Sequence, residues 1–230
     1  MSTQRGWTGS GAGTTTAGLI FGGQPLPPAS GQLTATEEWG GSSWTNGGNL
    51  NQGRSMVGGA GTQTAALCYG GLTPSVTVNT EEYNGTAWTE VNNLPVANAG
   101  ITSSRGSAQT NAFAAGGYSP APTTGVIFYD GTNWTAGPSL NTGRSNAMGA
   151  GTSSLGIVMG GPPALANTEG FDGTSWTEVA DLATGRTAAG TGGKSTTNAL
   201  VFGGENPPGY ITATEEWAAA DFEVTTLTTS

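Results

Sequence analysis

Three glutamate pairs, Glu37-Glu38, Glu81-Glu82 and Glu215-Glu216, and two aspartates in near-identical turns, Asp130 in "YDGTNW" and Asp172 in "FDGTSW", are the residues best able to do chemistry in this 230-residue chain. Adjacent carboxylates can divide the work of general acid and base, or offer hard oxygen ligands to calcium. Histidine is absent, which removes the commonest general base, metal ligand and triad member at once. The single cysteine, Cys68, lies in the apolar run "AALCYGG" with no second cysteine to bond, so it reads as a small buried hydrophobe.

The placement of the acids argues for architecture rather than catalysis. Glu37, Glu81, Glu169 and Glu215 fall at one place in a repeating unit, and Arg5, Arg54, Arg144 and Arg186 fall at another. All but one of the arginines occupy or approximate that column, and a residue needed by every unit belongs to the unit. The third unit supplies an internal test, because it carries Asn98 in the arginine column and Ile127 in the glutamate column. Removing one member of a buried ion pair strands the other at a cost of about 3 to 5 kcal/mol, so a unit should keep both or lose both. Arginine and glutamate are therefore expected to pair in units one, two, four and five. Neither calcium nor any other metal or cofactor is expected.

A repeat positions these columns. Gly-Gly pairs that end apolar runs begin at Gly22, Gly70, Gly116, Gly160 and Gly203, at spacings of 48, 46, 44 and 43 residues. An aromatic follows each pair (Trp39, Tyr83, Tyr129, Phe171, Trp217), and a second comes five residues later (Trp44, Trp88, Trp134, Trp176, Phe222). A period of this length marks one supersecondary unit that cannot bury its apolar face alone and stacks on copies of itself.

Each unit has room for four short strands. The first is rich in glycine, alanine and serine, which suits crowded backbones near an axis. The second is an apolar run without polar alternation, as expected of a strand covered on both faces. The third ends on the first aromatic, and the Asn-Gly or Asp-Gly pairs after it predict tight turns with positive φ. The fourth carries the second aromatic. The reading is an all-β, five-bladed β-propeller with four antiparallel strands per blade, one domain over residues 1–230 with repeats at about 5–50, 54–94, 98–140, 144–182 and 186–227. Leu50, Leu94, Leu140, Leu182 and Leu227 close the units, and a whole number of repeats predicts a closed ring.

Composition narrows the partners. Fifteen acids against six bases give a formal charge of −9, whose field repels phosphate backbones and anionic lipid, so no nucleic-acid partner is expected. No apolar stretch reaches spanning length and "MSTQRGWTGS" has no signal-peptide form, so neither membrane insertion nor export is expected. Without export, the sequons at Asn84 and Asn133 read as turn residues.

Gly-Gly after a strand, then an aromatic, then tryptophan resembles the Kelch repeat over nearly the whole chain, although the interval between aromatics is short and five blades is fewer than usual. The pairing of "GTQTAALCYGG" with "TEEYNGTAWTEV" resembles more narrowly the Gly/Thr-rich, Kelch-like structural proteins of marine tailed bacteriophages. That resemblance implies a virion component, made in the host cytoplasm. The Kelch-fold copper oxidases depend on histidine ligands that this chain lacks. The turns "YDGTNW" and "FDGTSW" resemble sialidase aspartate boxes, but here Asp130 and Asp172 touch Gly131 and Gly173 directly where the box has an intervening residue. No enzyme activity is expected.

Recognition is expected on the link from each Gly-Gly to the third strand. Ten of the twelve prolines lie in these links, the segments where the units differ most, and they emerge on the same face as the links between blades. Variable loops on a rigid scaffold commonly carry recognition, and proline lowers the entropy lost on binding. Leu26, Leu72, Tyr118, Leu165 and Tyr210 are the candidate contacts. The function expected is a non-enzymatic virion accessory protein that docks on tail or capsid through other virion proteins, with host-surface adhesion and a host-surface glycan as a further role and partner. The alternative is a lectin-like propeller that binds a small glycan at each blade through repeated aromatics.

Overall fold

The computed structural model describes residues 1, 3–6, 10–195, 197–218 and 223–227. Five four-stranded antiparallel sheets follow one another along the chain, each with its strands in sequence order. The protein is all-β among the described residues and forms a five-bladed β-propeller. The first strands, Ser10–Gly13, Gly58–Gly61, Thr102–Ser103, Met148–Gly151 and Gly190–Ser195, are innermost, each lying against the next from blade one through blade five. Their small residues permit that approach. A Cβ on Gly59 would stand 2.7 Å from Phe21 and Ser10 of blade one, and one on Gly149 would stand 2.5 Å from the Ser103 carbonyl of blade three.

The second strands show how blades stack. Residues alternate in direction, so Leu67 and Tyr69 face blade three while Ala66 and Cys68 face blade one. In blades two to four both faces are covered, which explains the unbroken apolar runs. Four core clusters result, joining blades one and two, two and three, three and four, and four and five. Tryptophans of the second aromatic column lock the first three seams edge-on, Trp88 on Phe21 at 4.9 Å, Trp134 on Tyr69 at 5.0 Å and Trp176 on Phe113 at 5.7 Å. Phe222, in the same column, lies outside the described residues, as does the side chain of Leu227.

Among the described residues, the contacts that would close the ring between blade five and blade one are not found. The Gly-Gly amide donates to a carbonyl of the next blade at Gly23 to Arg54, Gly71 to Asn98, Gly117 to Arg144 and Gly161 to Arg186, at 2.7 to 2.9 Å. Among the described residues Gly204 has no such bond to Arg5, and no core cluster joins blade five to blade one. Phe202, on the outward face of blade five, is 47% exposed, whereas its equivalents Phe21, Tyr69 and Met159 are buried. Ile20, on the outward face of blade one, is half-buried where Cys68, Ala114 and Val158 are fully enclosed. A whole number of repeats does not enforce closure, because each blade is a contiguous segment and, among the described residues, no sheet draws strands from both ends of the chain.

The turns between the aromatic columns also differ in detail. Only the glycines have positive φ, at 89° for Gly85 and 97° for Gly131 and Gly173, and the loop is four residues long. The preceding side chain folds back instead: Asp130 Oδ1 accepts from the amides of Thr132 and Asn133 at 2.8 and 2.7 Å, and Asp172 and Asn84 do the same. These amide bonds hold the Asp130 and Asp172 carboxyls below the usual range. The two aspartates are turn residues.

The packing makes a paired prediction. Gly149→Ala should destabilise by about 1 to 3 kcal/mol, because its methyl meets backbone that cannot step aside. Gly192, which faces outward from blade five, has nothing within 4 Å of a Cβ, and alanine already holds its column at Ala12, Ala60 and Ala150. Gly192→Ala should therefore be neutral or stabilise by up to about 1 kcal/mol in denaturant titration.

Candidate recognition face and central channel

The charged columns form four ion pairs. Arg5, Arg54 and Arg144 meet Glu37, Glu81 and Glu169 at 2.7, 2.6 and 2.7 Å, and Arg186 meets Glu215; all eight side chains are essentially enclosed. Each arginine ties its own blade together. Arg144, for example, donates to the carbonyls of Gly160 and Asn167 as well as to Glu169. Glu169 in turn accepts from the Asn141 amide and side chain, at 2.7 and 2.9 Å, which fixes the link arriving from blade three. Burial lowers the Arg144 pKa, and the Glu169 charge opposes that shift. In blade three the short side chain of Asn98 donates to the Gly116 carbonyl at 2.8 Å, replacing one arginine bond, while Ile127 packs into the core.

The second glutamate column has a separate task that sequence reasoning did not resolve. Glu38 accepts from the Tyr83 hydroxyl of the next blade at 2.6 Å, and Glu82 from Tyr129 at 2.9 Å. Burial and the carboxylate bond push the Tyr83 phenol up to about 12. Cys68 is free and buried, with its thiol likewise pushed up to about 12 by burial. Among the described residues no three of His, Cys, Asp and Glu gather to hold a metal ion.

Among the described residues the link face carries most of the exposed large apolar groups, while Leu155 lies on the opposite face in the turn between the first two strands of blade four. Leu26, Tyr118 and Tyr210 stand out at 47, 47 and 85% exposure, joined by Val96 on the link between blades two and three. Val96 escaped notice in the sequence because it lies outside the proline-rich segments. Leu72 and Leu165 are half-buried. Each is held by backbone bonds, Leu72 to Ser55 in both directions and Leu165 through its carbonyl to the Arg186 amide, so they stiffen their links more than they present a surface.

A channel of about 510 Å³ opens among the inner strands on this face. Its mouth is a collar of left-handed residues two positions after the arginine column, Met56, Gly100, Asn146 and Ala188, with φ of 46° to 58°. The Gly100, Asn146 and Ala188 amides donate to the carbonyls of Met56, Gly100 and Asn146, so blades two to five are laced by backbone. Positive φ is costly for non-glycine residues, and the collar persists because these bonds over-determine it. Only Gly100 and Asn146 are residue types that signal a left-handed backbone. Deeper in the channel lies Arg105, the arginine outside the repeat column, half-buried and reaching the Gly11 carbonyl of blade one at 3.5 Å.

Neither a family model nor a curated protein matches the sequence. Solved structures do: that of YjhT superposes with a TM-score of 0.79 over 97% of this chain and 84% of its own, at 13% identity. At that identity the likeness is one of fold.

Proposed function

We propose that this propeller is a non-catalytic recognition module of a tailed-phage virion, docking on tail or capsid through its link face. The observation that carries this reading is the grouping of Leu26, Val96, Tyr118 and Tyr210 as exposed apolar side chains on one face of a backbone-laced scaffold. The phage assignment rests on the sequence resemblance described above. Apolar contacts rimmed by polar groups suit a protein partner, and a stable contact of this kind covers about 800 Å² per partner. The lectin-like alternative is less favoured, because Tyr83, Trp88, Tyr129 and Trp176 are buried in the seams while Trp39, Trp44 and Trp134 are only partly so, and no exposed ring among the described residues recurs at equivalent positions of the blades.

The test removes the longest link. Residues 25–31 are replaced by a short Gly-Ser linker, keeping Gln24, Leu33 and Ala35, whose backbone groups bond to Gly6, Gly23 and Gly22. The shortened protein should unfold at the parent's midpoint yet enter particles at least about tenfold less efficiently in a competition assembly assay, the loss expected when a contact worth about 1.4 kcal/mol or more is removed. Incorporation equal to the parent's would remove the link face as the docking surface.

A further inference from the structure

The two ends of the open arc carry the two halves of the interface that joins every internal seam, but their side chains do not match each other. At each seam the second glutamate column of one blade faces the first aromatic column of the next. Glu38 and Glu82 meet the phenols of Tyr83 and Tyr129. Where Phe128 replaces the acid, the next blade offers Phe171, stacked at 5.3 Å. Where Gly170 replaces it, Trp217 stands in the facing column. A carboxylate meets a hydroxyl, and a ring meets a ring. At the open ends these columns hold Glu216, exposed, and Trp39, whose indole N–H already donates to the Thr15 carbonyl at 2.9 Å. No internal seam sets a carboxylate against tryptophan.

A further group at one end is incomplete in the same sense. Thr36 and Thr80 accept from the indoles of Trp88 and Trp134, whereas Thr214, their equivalent in blade five, is half-exposed. The superposition on YjhT uses 84% of that chain for these five blades, so the part left over is about the length of one blade.

We propose that the opening receives one further four-stranded sheet of this repeat type, supplied by polypeptide outside residues 1–230, which presents tyrosine to Glu216 and no carboxylate to Trp39. The same sheet offers a tryptophan to Thr214, covers Phe202 and Ile20, and engages the Gly204 amide and the Arg5 carbonyl as the internal links do. This surface is distinct from the link face, and its occupancy does not depend on the docking role.

Amide hydrogen exchange on the intact chain tests it. In dilute, monomeric protein the Gly204 amide should exchange at least about tenfold faster than those of Gly23, Gly71, Gly117 and Gly161, which are hydrogen-bonded across seams. A six-repeat chain, made by appending a copy of residues 54–97 that carries Glu82→Gly so that no carboxylate meets Trp39, supplies such a sheet. In it Gly204 should slow to the level of the other four, and Tyr83→Phe within the appended copy should reverse part of that gain. Protection of Gly204 in the dilute parent would mean that the arc closes on itself, and protection only at concentrations where the parent dimerises would mean that a second copy is the occupant. Either result overturns the proposal, as does a six-repeat chain in which Gly204 remains fast.

Discussion

Arg144→Met should destabilise the protein by about 3 to 5 kcal/mol, because it leaves the Glu169 carboxylate enclosed without its counter-charge. The loss extends beyond one ion pair. Arg144 also holds the carbonyls of Gly160 and Asn167, and Glu169 holds Asn141 at the entry to the blade. Blade three shows how the fold tolerates the absence of both charges, with Asn98 on the Gly116 carbonyl and Ile127 in the core. The double variant Arg144→Asn with Glu169→Ile should therefore recover at least about 2 kcal/mol of the single-variant loss, as expected when no charge is left buried. Urea midpoints for Arg144→Asn, Glu169→Ile and the double decide the matter. Additive losses would mean that arginine and glutamate act independently.

The charge columns were legible because a defect in one repeat removed both members at once, as a physical coupling requires. The blade count and the inner position of the Gly-rich strands were legible for a similar reason: five copies average out local ambiguity in strand assignment. The Asn-Gly and Asp-Gly turns were placed correctly along the chain but given the wrong geometry, since the dipeptide does not say whether its first side chain bonds to backbone. The collar was hidden because Met56 and Ala188 carry no sign of a left-handed backbone, which is imposed by bonds from neighbouring blades. At the link face, proline marked the stiff links but not Val96. The absence of closing contacts among the described residues was not legible for a more general reason. Local patterning records what each blade buries, and the terminal blades repeat that pattern whether or not a neighbour covers them.

That last point gives the second large effect. Trp88→Ala should cost about 3 to 5 kcal/mol, because the indole is buried at the first seam, edge-on to Phe21 at 4.9 Å, with its N–H donated to Thr36 Oγ1 at 2.9 Å. Trp44 occupies the same column in blade one, so sequence alone assigns both residues the same weight. In the structure its ring partner is Trp39 of its own blade, at 5.5 Å, and it is half-exposed at the open end of the arc. Removing it takes away partial burial and one intrablade contact, and Trp44→Ala should cost no more than about 1.5 kcal/mol. Both variants are read from chemical denaturation of dilute protein, with equal denaturant slopes as the check that unfolding stays two-state. Equal losses at the two positions would require Trp44 to be packed as Trp88 is, against the outward face of blade five, and the propeller would then be a closed ring.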